Sequence, residues 1–187
     1  MYDILIIGAG PAGASAAIFS AKAGKKTLLI DNEKSLTAKA WVENHYGAPG
    51  ISGPDLLQTG KDQATKLGAE LKEATVTDIV KDGSEFTVKT EGEEYKAKHV
   101  LIATGVATDL AEKAGVDTVP ATEPRIKTVI DVQEDGKTNV DGIWAAGTIA
   151  GVSVHTIITA GHGASVAINI ISEINGERYV DHDILKA

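Results

Sequence analysis

The sequence predicts an α/β domain in three layers: a central parallel sheet, helices on one face and a small antiparallel β-meander on the other. Two observations carry this expectation. Residues 3–13 read DILIIGAGPAG, an apolar run that ends in glycines at 8, 10 and 13, and together with TLLI at 27–30 they frame a βαβ unit. Residues 69–103 alternate tightly and break at two turn clusters, the pattern of a meander running into a buried strand.

Taken in order, Tyr2 to Ile7 forms the first strand, Pro11 to Ala23 an alanine-rich helix stopped at Gly24, and Lys25 to Ile30 a second strand closed by Asp31. The crossover is right-handed by the general rule for parallel strands. Gly53-Pro54-Asp55 starts a helix over 54–67, with proline in its first turn and Gly68 as its stop. Turns at 82–84 and 91–93 divide the next stretch into meander strands, and HVLIA leads to the Thr104-Gly105 stop. Residues 106–127 give a weak signal, read as a short helix near 109–114 followed by loop. TVIDV at 128–132 and GIWAA at 142–146 are further strands, and Val154 to Ile174 is a long helix ended by Asn175-Gly176. Nothing marks a second domain, so residues 1–187 are expected to act as one.

Composition narrows the function. With 43% hydrophobic residues, 20 glycines and a net charge of −8, the chain reads as a globular protein whose partners are small molecules or other proteins. No basic run favours nucleic acid, and no stretch reads as apolar for long enough to span a membrane. The first strand starts at Tyr2, so no signal peptide is expected, and the location expected is cytoplasmic. The absence of cysteine excludes an internal disulfide and thiol redox chemistry within these residues. No His, Asp or Glu spacing suggests a metal site.

The glycine turn points to a dinucleotide. In a strand-to-helix turn the first glycine permits the bend, the second lets a diphosphate approach the backbone, and the third lets helix and strand pack closely. Gly8, Gly10 and Gly13 stand at those places, and the helix starting near Pro11 directs free amides at the anion. Asp31 follows the second strand, where a carboxylate either accepts adenosine ribose hydroxyls or is simply a solvated acid. A second glycine pair, Gly161-His162-Gly163, follows no strand and has Val166 in place of a third glycine, so it reads as small residues that let a helix pack closely.

Four segments then resemble a known family in order: DILIIGAGPAGASAAIFSAKAG, VENHYGAPGISGPDLL, VLIATG at 100–105 and GIWAAGTIAG at 142–151. They are similar to the FAD domain of the thioredoxin reductase-like branch of the pyridine nucleotide-disulfide oxidoreductases, an FAD/NAD(P)-binding, Rossmann-like fold. The resemblance runs from Tyr2 to about Gly163 and favours FAD over NAD as the dinucleotide. It implies that Gly8, Gly10, Pro11, Ala12 and Gly13 hold the diphosphate, and that Asp31, Asn32 and Glu33 lie near the adenosine ribose. Asn44 is implied near the flavin, Val76 near the adenine, Ala103, Thr104 and Gly105 along the cofactor's flank, and Gly147 and Thr148 at the ribityl chain. The helix starting near His155, Thr156 and Ile157 is implied to aim its positive end at the flavin's pyrimidine edge.

Departures from the family pattern bear on function. The family places an NADPH-binding domain between the ATG and GIWAAG segments, which only a short stretch joins here, and the redox Cys-x-x-Cys of that domain is missing. Thr148 stands where the family has aspartate, and Val154 and His155 stand where arginine and glutamine are common. His155 is either a flavin-facing hydrogen-bonding or proton-relaying group or a capping residue. His45 and His162 are weaker candidates, His99 reads as a strand-end residue and His182 as a tail residue. Trp41 and Trp144 read as core residues before flavin-stacking ones, and Glu91 to Glu94 as a solvated hairpin tip.

The function expected is a single-domain FAD-dependent oxidoreductase whose electron donor or acceptor is a separate small molecule or redox protein, with homodimerisation implied by resemblance. The alternatives are a non-catalytic FAD-binding scaffold, sensor or subunit, and an ordinary NAD-dependent dehydrogenase.

Overall fold

The chain is described from a computed structural model, which covers residues 1–181 and 183–185. The first three elements match the expected unit: β1 (Tyr2–Ile7), α1 (Pro11–Lys22) and β2 (Thr27–Asp31). Pro11 opens α1 because its fixed φ suits the first turn and its missing N–H has no partner to lose there. A 3-10 turn (Leu36–Lys39) and a small hairpin of β3 (Trp41–Val42) and β4 (Ile51–Ser52) then lead into α2 (Gly53–Lys66). Ser52 caps α2, its Oγ accepting the Asp55 amide at 3.2 Å.

After α2 the chain forms β5 (Glu70–Glu73), β6 (Val76–Asp82), β7 (Glu85–Thr90) and β8 (Glu94–Ile102). The remainder comprises α3 (Asp109–Lys113), β9 (Thr118–Pro120), β10 (Thr128–Ile130), β11 (Ile143–Ala145), a 3-10 turn (Thr148–Ala150) and α4 (Thr156–Asn175). Gly176, at φ 72°, ends α4 in the left-handed conformation.

Strand β8 belongs to two layers at once. Its start pairs antiparallel with β7, Phe86 opposite Ala97 and Lys89 opposite Glu94. Its end runs parallel between β1 and β11, with Ile102 opposite both Ile7 and Ala145. The parallel order is β5-β2-β1-β8-β11, and β6 and β7 continue from β8 as the meander.

The residue pattern explains the layering. Alternate side chains of β1 point to opposite faces. Ile4 and Ile6 enter a core with Ala12, Ala16 and Ala17 of α1 and Val166, Ala167 and Ile170 of α4. Leu5 and Ile7 enter the opposite core with Ile79, Phe86 and Val88 of the meander. Ala111 of α3 joins this second core, so the short helix lies on the meander side and not with the larger helices.

Several expectations need correction. TVIDV contains a strand, Thr128–Ile130, but it lies outside the main sheet and pairs antiparallel with Thr118–Pro120, a segment expected to be loop. His99 lies within β8, not at a strand end. Trp144 is core, but Trp41 is 65% exposed and donates its indole N–H to Glu43. By length and composition α4 is apolar enough to cross a membrane, against the sequence expectation. Its Gly163, Val166, Ala167, Ile170 and Ile171 are buried within the domain, and that role accounts for its apolarity. His182 lies outside the described residues.

Candidate functional site

The carboxyl ends of β1, β2 and β8 open onto one cleft of about 650 Å³, where ligands of parallel α/β sheets characteristically sit. Gly8, at φ 102°, turns the chain out of β1, and a Cβ there would lie 2.4 Å from the Ala103 carbonyl oxygen. No L side chain fits that approach. Gly13 carries the helix–strand contact, since its Cβ would fall 1.8 Å from the Gly8 oxygen. Gly10 caps α1 without any side-chain hydrogen bond, so the first-turn amides remain directed at the cleft.

Gly8, Gly10, Pro11, Ala12, Asp31, Asn32, Val76, Ala103, Thr104, Gly105, Gly147 and Thr148 all line this cleft. Gly13, Glu33, Asn44, His155, Thr156 and Ile157 do not form part of its wall. Sequence reasoning missed Lys34 to Thr37, Thr75 and Thr77 on either side of Val76, and Val154 and Thr159 near the start of α4. Lys34 to Thr37 were missed because short polar loops carry no periodic signal. Ser35 Oγ lies 3.3 Å from where a Gly10 Cβ would be, so this loop crosses the mouth of the glycine turn.

At the end bounded by β2, Asp31 is 7% exposed, not a solvated loop acid. Its Oδ1 accepts the Glu33 amide at 2.9 Å, and its Oδ2 pairs with Lys61 Nζ of α2 at 3.1 Å. Glu33 holds φ 59°, and the neighbouring Glu73 carboxyl raises its pKa above the ordinary value. Lys113 is held by the Thr77 carbonyl at 3.0 Å and by Asp78 at 3.2 Å, whereas Lys34 borders the cleft with no carboxylate paired to it among the described residues.

At the other end, Gly147 and Thr148 face the first turn of α1. Thr148 is 8% exposed, and its hydroxyl has no hydrogen-bond partner among the described residues. His155 is the N-terminal flanking residue of α4 but makes no capping bond; its Nδ1 meets Ser153 Oγ at 2.8 Å. His45 Nδ1 meets Thr156 Oγ1 at 2.9 Å, tying the β3–β4 segment to α4. His162 accepts the Gly147 amide on Nδ1 at 3.1 Å, and burial lowers its pKa.

Among the described residues no group of His, Cys, Asp and Glu is arranged to hold a metal. The Cβ-excluding turn and the free amides of the first turn of α1, both at this cleft, suit the diphosphate of a dinucleotide. The absence of a cysteine leaves these residues no thiol relay of their own.

Comparison with known proteins agrees with this geometry. The family model described as pyridine nucleotide-disulphide oxidoreductase matches residues 2–131. Thioredoxin reductase of Peptoclostridium acidaminophilum is 39% identical over 115 residues, covering 59% of this chain and 36% of that protein. The corresponding protein of Aquifex aeolicus (strain VF5) is 40% identical over 114 residues, covering 56% and 34%. The chain thus spans about a third of the length of the curated relatives it matches. Among solved structures, a thioredoxin reductase from Gloeobacter violaceus superposes with a TM-score of 0.81 at 18% identity, covering 99% of each chain. The atypical thioredoxin reductase TRi from Desulfovibrio vulgaris Hildenborough gives 0.78 at 20% identity, covering 95% of this chain and 99% of that one. At these identities the likeness speaks to the fold.

Proposed function

We propose, for a chain that belongs to the pyridine nucleotide-disulphide oxidoreductase family, that residues 1–187 act as one FAD-binding domain passing electrons between an external donor and an external acceptor. The observation that carries this is the Gly8 turn. Its carbon skeleton leaves no room for a side chain, and α1 points unpaired amides at the same space. A bound flavin supplies the two-electron chemistry. The chain's own contribution is to hold the diphosphate with the α1 amides, to place polar groups of Asp31 and Asn32 at the ribose end, and to present Gly147 and Thr148 toward the ribityl chain. The positive end of α4, with His155, Thr156 and Ile157, lies beyond the cleft wall and favours negative charge at its mouth.

The electron partner is proposed to be a redox protein or a diffusing small molecule, because no thiol pair lies in the sequence and the ATG and GIWAAG segments are joined directly by the α3 and β9–β10 region. Homodimerisation and a cytoplasmic location belong to the same proposal. The test is a visible spectrum of freshly purified protein with chromatographic identification of any released cofactor, repeated after anaerobic NAD(P)H. A flavin band yielding FAD supports the proposal, and bleaching by NAD(P)H identifies a direct donor. A colourless chain that takes up no added FAD overturns it.

Thr148 favours one second reading. It lines the cleft with an uncharged hydroxyl at the position where the family resemblance implies aspartate, a loss that suits a scaffold or sensor that no longer turns over. FAD bound but inert to dithionite, NAD(P)H and candidate redox proteins would select it.

A further inference from the structure

Two glycines of different elements converge on Ala12 in the first turn of α1. A Cβ on Gly163 would fall 2.0 Å from the Ala12 carbonyl oxygen, so α4 lies directly against α1 backbone at that point. A Cβ on Gly147 would fall 2.8 Å from the Ala12 Cβ, and Gly147 holds φ 84° and ψ −156°, a conformation that disfavours any other residue. Between these contacts stands His162, whose Nδ1 accepts the Gly147 amide at 3.1 Å.

Gly147 is buried, so its amide would otherwise lack a partner. An amide can only donate, which requires Nδ1 to be the unprotonated nitrogen and places the imidazole proton of the neutral ring on Nε2. Burial is the sole cause that lowers the His162 pKa, so the neutral ring is the form kept near neutral pH. The histidine that the sequence pattern assigns to helix packing therefore does something its two glycines do not. It fixes the peptide that begins the Gly147–Thr148 wall of the cleft.

We infer that His162 is a positioning residue for the cleft, its Nδ1 locking the Gly147–Thr148 turn against the first turn of α1 and thereby setting the affinity for the dinucleotide. The inference rests on reading the cleft as an FAD site. His162 does not line the cleft and acts only through Gly147.

Two variants separate the hydrogen bond from packing. His162→Leu keeps a similar volume without an acceptor, whereas His162→Asn places an amide oxygen close to the position of Nδ1. Two readouts are taken on the whole chain: hydrogen exchange of the Gly147 amide by NMR without cofactor, and FAD affinity by fluorescence titration. The expected result is fast Gly147 exchange and roughly tenfold weaker FAD binding in His162→Leu, with both restored toward wild type in His162→Asn.

Wild-type exchange and affinity in His162→Leu would overturn the inference, as would an Asn variant as impaired as the Leu variant. Should His162→Leu fail to fold, the ¹⁵N shift of His162 Nδ1 in the wild-type chain decides: a protonated Nδ1 overturns the role and an unprotonated one supports it. A wild-type chain that binds no FAD overturns the reading of the cleft itself, and is told apart because the Gly147 exchange results stand without cofactor.

Discussion

Lys61 Nζ lies 3.1 Å from Asp31 Oδ2, so the carboxylate at the β2 end of the cleft is anchored from α2. Both side chains are largely shielded, at 16% and 10% exposure. Lys61→Met strands a buried carboxylate and is expected to cost roughly 2–4 kcal/mol. The double variant Asp31→Asn/Lys61→Met is expected to cost less than the sum of the single changes. Urea denaturation of the four proteins in this cycle measures both.

The two glycines of Gly161-His162-Gly163 are expected to respond in opposite ways. Gly163→Ala drives a methyl into the Ala12 carbonyl and is expected to destabilise by about 2 kcal/mol or more. Nothing lies within 4 Å of a Cβ on Gly161, which is exposed in mid-helix, so Gly161→Ala is expected to stabilise by about 0.5–1 kcal/mol. Chemical denaturation of the two variants checks the contrast.

Glu33 and Glu73 give an electrostatic prediction. The neighbouring Glu73 carboxylate raises the Glu33 pKa, because it accepts a hydrogen bond from the protonated form and repels the ionised one. The stabilisation is full below the ordinary carboxylate pKa and is lost as pH rises through the raised folded value. Glu73→Gln is expected to raise the melting temperature at pH 8 relative to wild type and to leave it nearly unchanged at pH 4. Thermal melts across that range read the difference.

His99 behaves in the opposite sense. Burial lowers its pKa, and Trp144 donates its indole N–H to His99 Nδ1 at 3.3 Å. The associated stability is present above the ordinary histidine value of about 6.5 and is lost as pH falls through the depressed folded value. Protonation removes the acceptor, so acidification below pH 6 is expected to change Trp144 emission in a Trp41→Phe background. His99→Gln is expected to abolish the titration.

Thr148 is expected to matter to the cofactor and not to the fold. Thr148→Val retains the shape and removes a hydroxyl that no described residue engages. Unchanged stability with about three- to tenfold weaker FAD binding is the expected outcome, measured by melts of the cofactor-free protein and by fluorescence titration.

The sequence made the βαβ unit legible because its pattern is local: an apolar run, three spaced glycines, an alanine-rich helix and a second apolar run. β8 was legible for a related reason. Its first part alternates, as a strand with one wet face must, and its end, VLI, becomes continuously apolar on entering the parallel sheet. β10 was legible within the strand TVIDV, but its partner β9 was not, since a three-residue strand ending in Pro120 carries too short a pattern to distinguish from loop. Trp41 and Trp144 show the same limit. Both lie beside small apolar residues, yet one is exposed and the other buried, and only tertiary packing separates them. His162 was named only as a weaker candidate because a helix side chain accepting a hydrogen bond from a distant turn leaves no periodic trace.

The packing of α4 on α1 also sets an order for protein synthesis. β1, α1, β2 and the strands through β8 emerge from the ribosome well before α4, and they can begin pairing while Ile6, Leu101 and the alanines of α1 still lack the Val166 and Ile170 that cover them. A nascent chain that lacks the segment from Thr156 to Asn175 exposes that apolar face to chaperones and to its neighbours. Release of this segment from the ribosome and its docking on α1 are therefore the step at which the newborn chain passes from aggregation-prone to protected.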